Sequence, residues 1–225
     1  MIVSLFDYTG IAVQPWIKAG YQAVIADILH EADAEAGGLV KISGDLRKQE
    51  SRIVGMLQGL PIHLLCSFPP CTDMSVSGAK HFAAKRAADP SFEDKALELV
   101  WIGVRMGNAL GCPYFIENPV STLSSFWRKP DFTFNPFDYG GYLPEGDLHP
   151  QWPDHIPPRD SYSKLTCIWG GNDFVMPKKK PVPQFVAGWA PQVTSLGGKG
   201  LKTKIIRSAT PRGFSQALFE HYSDK

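Results

Sequence analysis

"IHLLCSFPPC", residues 62–71, decides the fold. Its apolar run has no recurring polar face, so it reads as a strand buried on both sides. Pro69 and Pro70 end that strand, because neither can donate to a sheet ladder. Runs of the same kind lie upstream in "IVSLF" (2–6), "QAVIADI" (22–28) and "LVKIS" (39–43), and downstream in "YFIENP" (114–119). Between them the spacing predicts helices over Val13–Ala19, Arg47–Leu60 and the amphipathic "SFEDKALELVWIGVRMGNAL" (91–110). Strand and helix alternating in this way predict an α/β, Rossmann-like fold with a mostly parallel sheet flanked by helices. The five strands are expected to end near Phe6, Asp27, Ser43, Phe68 and Glu117.

Beyond Val120 the pattern weakens into aromatic, Pro- and Gly-rich sequence. Residues 1–225 read as one domain with a small irregular, loop-rich lobe at 120–207. Within the lobe "SKLTCIWGG" (163–171) reads as one strand, and "GFSQALFEHY" (213–222) forms a terminal helix. A hydrophobic content of 44% supports a substantial core, and a net charge of +1 excludes a global attraction to nucleic acid, so any basic surface is local. Cys66, Cys71, Cys112 and Cys167 form no C-x-x-C pair, and no metal site is expected. The sequence shows neither a signal-peptide pattern nor an apolar run of membrane-spanning length, which predicts a soluble, cytoplasmic protein.

In open parallel sheets ligands sit beyond the carboxyl ends of the strands. Those ends carry the turn Phe6–Gly10, then Asp27, Asp45, the stretch from Pro69 to Ser75, and Glu117-Asn118. Asp27, about twenty residues after the glycine turn, suits ribose hydroxyls, although a solvated helix cap is the commoner role for such a residue. The turn lacks G-x-G-x-x-G and fits a smaller adenosine-containing ligand better than a dinucleotide. Cys66, Cys112 and Cys167 read as inert buried thiols. Cys71, presented by two prolines at a strand exit, reads as a nucleophile whose pKa a helix N-terminus would lower. Glu117 reads as a cap or ion-pair partner, or as a carboxyl held protonated beside the thiol to activate a heterocycle. The basic stretches "KKK" (Lys178, Lys179, Lys180) and "LGGKGLKTK" (196–204) read equally as phosphate holders or as solvated loops.

Together these segments resemble the cytosine-5 DNA methyltransferase family. Pro70-Cys71 followed by Met74, Ser75 and Gly78 is similar to its nucleophile motif, and "IENP" to its Glu-Asn segment. "SLFDYTGI…AGYQAVIADI" resembles its cofactor strand and acidic second strand. "FDYGG" (137–141) and "SATPRGFSQAL" (208–218) resemble later motifs, in the family's order. Tyr8, Thr72 and Pro119 depart from the usual residues, and only Gly171–Arg207 is left for target recognition. The resemblance thus implies that the 120–207 lobe is at most a minimal DNA-recognition region, with an accessory protein as a possible partner.

The resemblance implies S-adenosylmethionine as cofactor, held by Phe6, Asp7, Thr9, Gly10, Asp27, Asp45, Pro69, Asn118, Ser208 and Thr210. It implies Cys71 as nucleophile, Glu117 at cytosine N3, and Lys164 in place of a missing basic element. DNA with a flipped-out cytosine would meet Pro70, Ser75, Asn118 and Lys178–Lys180. Three alternatives stay open: the same carbon-5 chemistry with another donor or a nucleotide substrate, transfer to an exocyclic amine, and an inactive binding protein of this fold.

Overall fold

The computed structural model describes residues 1–186, 196 and 200–223, and not the side chains of 77–79. The five expected strands are present: β1 (Ile2–Leu5), β2 (Ala23–Asp27), β4 (Leu39–Ser43), β5 (Leu64–Ser67) and β6 (Tyr114–Pro119). Three more join them, β3 (Ala34–Ala36), β7 (Phe132–Phe134) and β8 (Thr166–Gly171). The sheet runs β3-β4-β2-β1-β5-β6-β8-β7. The central strands β4, β2, β1, β5 and β6 pair in parallel; β3, β8 and β7 add antiparallel edges. The segment 120–207 is therefore not wholly irregular, since β7 and β8 extend the same sheet.

Alternation along the strands loads both faces. Val3, Leu5, Val24, Leu65, Ile116 and Trp169 point into one core, covered by α2 (Leu46–Leu57) and α4 (Phe92–Leu110). Ile2, Ile25, Leu64, Phe115 and Ile168 point into the other, where Trp16 of α1 (Gln14–Lys18) and Phe214 and Leu218 of the terminal helix are buried. Numbered in chain order, the remaining helices are α3 (Phe82–Ala88), α5 (Leu123–Phe126), α6 (Leu201–Ser208) and the terminal α7 (Arg212–Tyr222). No helix among the described residues is long and apolar enough to cross a membrane.

The chain runs outward from β1 through β2 to β4 and then returns to β5 on the other side of β1. That reversal opens a crevice between the ends of β1 and β5, where a ligand fits without meeting a crossover connection. Helix α4 lies close over β5 and β6 because Gly103 and Gly107 have no side chain. A Cβ on Gly103 would come within 2.6 Å of Ile116 and of Ser67. Gly103→Val should therefore lower stability by about 1–3 kcal/mol through overpacking, as measured by chemical denaturation. An unchanged denaturation midpoint would contradict this packing.

Candidate functional site

Strand β1 ends in a tight turn organised by Asp7. Its buried carboxylate accepts from Ser4 Oγ at 2.9 Å, Thr9 Oγ1 at 3.2 Å and the Gly10 amide at 2.7 Å. Gly10 takes φ 68°, and Phe6 takes φ 56°, a left-handed value that non-glycine residues hold only when the surroundings enforce it. Asp7 thus shapes the turn, and both of its oxygens are engaged within it. Burial raises its pKa, and those hydrogen bonds oppose the rise.

Asp27 closes β2 with one carboxylate oxygen accepting the Leu29 amide at 2.7 Å. The other oxygen makes no hydrogen bond among the described residues. Next to it lies His30, which the sequence did not single out: buried, with an unpartnered Nε2, its ring 5.6 Å from that of Tyr8. Burial lowers the His30 pKa and raises that of Asp27, while their mutual attraction acts against both shifts. An unpartnered buried imidazole nitrogen beside a carboxylate oxygen fits a ribose, whose hydroxyls donate and accept. Asp45 is also engaged in holding a helix end, since it caps α2 through the Arg47 amide and pairs with the Arg47 guanidinium at 2.7 Å.

The next strand ends bring the chemistry together. Strands β5 and β6 are parallel neighbours with Ser67 opposite Ile116, so Phe68 leaves the sheet beside Glu117, which stays in β6 paired with Ile168 of β8. Asn118, fully buried, donates from Nδ2 to the Pro69 carbonyl at 3.1 Å and holds the Pro-Pro-Cys turn. Its Oδ1 has no partner among the described residues. Farther along, Ser75 bridges Ser121, and Thr122 donates to the Met74 carbonyl at 2.9 Å, so the two exit segments are sewn together.

Strand β8 runs antiparallel to β6 with Thr166 opposite Pro119, which places its beginning beside the end of β6. Lys164 therefore enters at the same edge. Its amide is held by Asn135 Oδ1 at 3.0 Å, and its Nζ donates to the Arg207 carbonyl at 3.0 Å. Glu117 lines a narrow pocket with Phe68, Phe134, Lys164, Thr166 and the segment Ser208–Pro211. Of the expected closing residues, Ser208 and Thr210 are both in this wall.

Charge couples the three central side chains. Burial raises the Cys71 thiol, the Glu117 charge raises it further, and Lys164 draws it back. The sequence expectation of a thiol lowered by a helix N-terminus is thus corrected: Cys71 is flanked by a turn, and burial dominates. Burial also raises Glu117, opposed by Lys164.

The Lys178–Lys180 stretch lies elsewhere. Lys179 pairs with Asp138 at 2.9 Å; Lys180 pairs with Glu220 and sits 3.8 Å over the Tyr142 ring. Glu220 is near the far end of α7, eight residues beyond Arg212 and so about 12 Å from the pocket end of that helix. Lys179 and Lys180 are thus committed to internal ion pairs. Of "LGGKGLKTK", residues 197–199 fall outside the described set, and the rest begins α6.

The sequence reading also passed over Asp160, which is buried with φ 49° and accepts the Gly213 amide at 2.9 Å, capping α7 just behind the Ser208–Pro211 wall. Among the described residues no cluster of metal-ligating side chains occurs. No family model matches the chain, and no curated protein is found to be related to it.

Burial pushes Asp160 up to about 6 from an unperturbed 3.8, so its folded form holds its proton longer than the unfolded chain does. The associated stability is complete below about pH 3.8 and is lost as pH rises through about 6. Asp160→Asn should therefore gain melting temperature relative to the unsubstituted chain as pH goes from 4.5 to 7.5 in a series of thermal melts. A difference between the two proteins that is the same at every pH would contradict this.

Proposed function

We propose that the chain is a cytosine carbon-5 methyltransferase acting on DNA, with S-adenosylmethionine as methyl donor. The observation that carries this reading is the meeting of Cys71, Glu117 and Lys164 at one strand edge, where the thiol senses both charges and Glu117 senses Lys164. A nucleoside-bearing cofactor is supported by the enforced turn Phe6–Gly10, the free Asp27 oxygen and the unpartnered His30 nitrogen, all at the carboxyl ends of β1 and β2. When bound, the cofactor supplies an electrophilic methyl group on sulfur.

Carbon 5 of cytosine is a weak nucleophile, and covalent addition at carbon 6 strengthens it. The Cys71 thiolate forms the sulfur–carbon 6 bond, and the electron pair of the 5,6 double bond shifts toward carbon 5 and the ring. Glu117, whose burial favours its protonated form, donates to N3 when protonated and stabilises that charge. In its protonated form it also stops opposing the thiolate, so one buried proton serves both groups. Lys164 supports the thiolate electrostatically. After carbon 5 takes the methyl group, loss of its proton to a base restores the double bond and expels the Cys71 thiolate. The Asn118–Pro69 hydrogen bond keeps sulfur and carboxyl in a fixed relation throughout.

Single-stranded and duplex DNA containing 5-fluorocytosine, incubated with the chain and cofactor, should yield an adduct stable to denaturing electrophoresis, because fluorine cannot leave as a proton does. The adduct should map to Cys71 and vanish in Cys71→Ser. Glu117→Gln should slow its formation by about 10²-fold or more, the usual scale for losing a positioned acid. An adduct surviving in Cys71→Ser would refute the role given to this thiol.

A further inference from the structure

A second site lies on the other side of α7. The turn after β1, helix α1, the first turns of α7 and residues 143–151 enclose a cleft of about 460 Å³. None of Phe6, Asp27, Asp45, Asn118 or Glu117 lines it, so it is distinct from the pocket at Glu117 and meets the cofactor turn only at Thr9 and Ile11. Its volume is within the range of small-molecule sites.

The polar groups lining the cleft are mismatched in sign. His149 is 3% exposed, and its Nδ1 accepts from the amides of Gln151 and Trp152 at 3.3 and 3.1 Å. The ring proton therefore sits on Nε2, which is buried and has no partner among the described residues. The Trp152 ring stacks on the imidazole at 4.9 Å and fixes its plane. With Nδ1 turned to its own loop, His149 has only a donor left to offer, and so do Lys18 and Arg212. Arg212 donates to the Leu148 carbonyl and pairs with Asp147, the one carboxylate in the lining; two cations thus face a single anion. Burial and the neighbouring Arg212 hold His149 down at about 4, so it is a neutral donor at physiological pH. An unpartnered buried donor is costly, and an incoming acceptor removes that cost. The α7 amide end is already capped by Asp160, so the donors presented here are side chains.

We propose that this cleft binds a small organic anion, carboxylate- or phosphate-bearing and no larger than a mononucleotide, through His149 Nε2, Arg212 and Lys18. Because Thr9 belongs both to the cleft and to the cofactor turn, and Arg212 directly follows the Ser208–Pro211 wall, an occupant would brace both.

The test is calorimetric titration of the full chain with inorganic phosphate, succinate and cytidine monophosphate. At least one should bind saturably. Lys18→Glu, an exposed change, should weaken that binding tenfold or more, and His149→Phe should do likewise if it folds. Phosphate against succinate identifies the head group, and the monophosphate against phosphate reports whether the rest of the cleft is used. No saturable binding up to millimolar concentration, or binding unchanged in Lys18→Glu, would overturn the proposal. S-adenosylhomocysteine binding, measured in parallel, should be within threefold of the parent in Lys18→Glu. Failure of the anion site and failure of the methyltransferase reading are thereby separate results.

Discussion

The hydrogen bond from Asn118 to the Pro69 carbonyl is the constraint on which the site depends. Two parallel strands present their carboxyl ends together, but their pairing stops at Ser67 and Ile116, before Cys71 and Glu117, and only β6 runs on, to Pro119 against β8. Past that point the chain needs another means of registration. A buried side-chain amide supplies it, and the Ser75–Ser121 bridge and the Thr122–Met74 bond extend it. Each such bond has a net worth of only about 1 kcal/mol, but breaking one leaves a buried group unsatisfied at a cost of about 1–3 kcal/mol. The geometry is therefore held more firmly than the stability of any one bond implies.

The antiparallel edge has a structural consequence that a wholly parallel sheet lacks. Reversing β8 against β6 brings the start of a strand, with Lys164, to the edge where the other strands end. A cation thus reaches a region in which burial raises both Cys71 and Glu117. Lys164 opposes both rises, so under the proposed reading the carboxyl would serve as acid and the thiol as nucleophile.

The five parallel strands were legible because strands covered on both faces are apolar throughout, and Asp27 and Ser43 end β2 and β4 as expected. Other features left little local signal. Strand β3 is "AEA", wholly exposed, and β7 is a three-residue strand in aromatic, proline-punctuated sequence. The direction of β8 depends on its partner, which local periodicity does not encode. Lys179 and Lys180 read as available charge because Asp138 and Glu220, their partners, lie about forty residues away in the chain. His30, His149 and Asp160 matter because they are buried, and a single polar residue in a loop-like stretch carries no mark of burial. The positive φ values at Phe6 and Asp160 are likewise tertiary in origin. Cys71 and Glu117 were legible for the opposite reason, each lying at the end of a strongly apolar run.

The most direct measurement of the central claim is the chemical identity of the product. The chain would be incubated with S-adenosylmethionine labelled in its methyl group and with DNA, single-stranded and duplex, and the DNA then digested to nucleosides and separated. The account predicts label in 5-methylcytosine, absent when Cys71 is replaced by serine. Label in N4-methylcytosine, or no label in any nucleoside from either form of DNA, would contradict it.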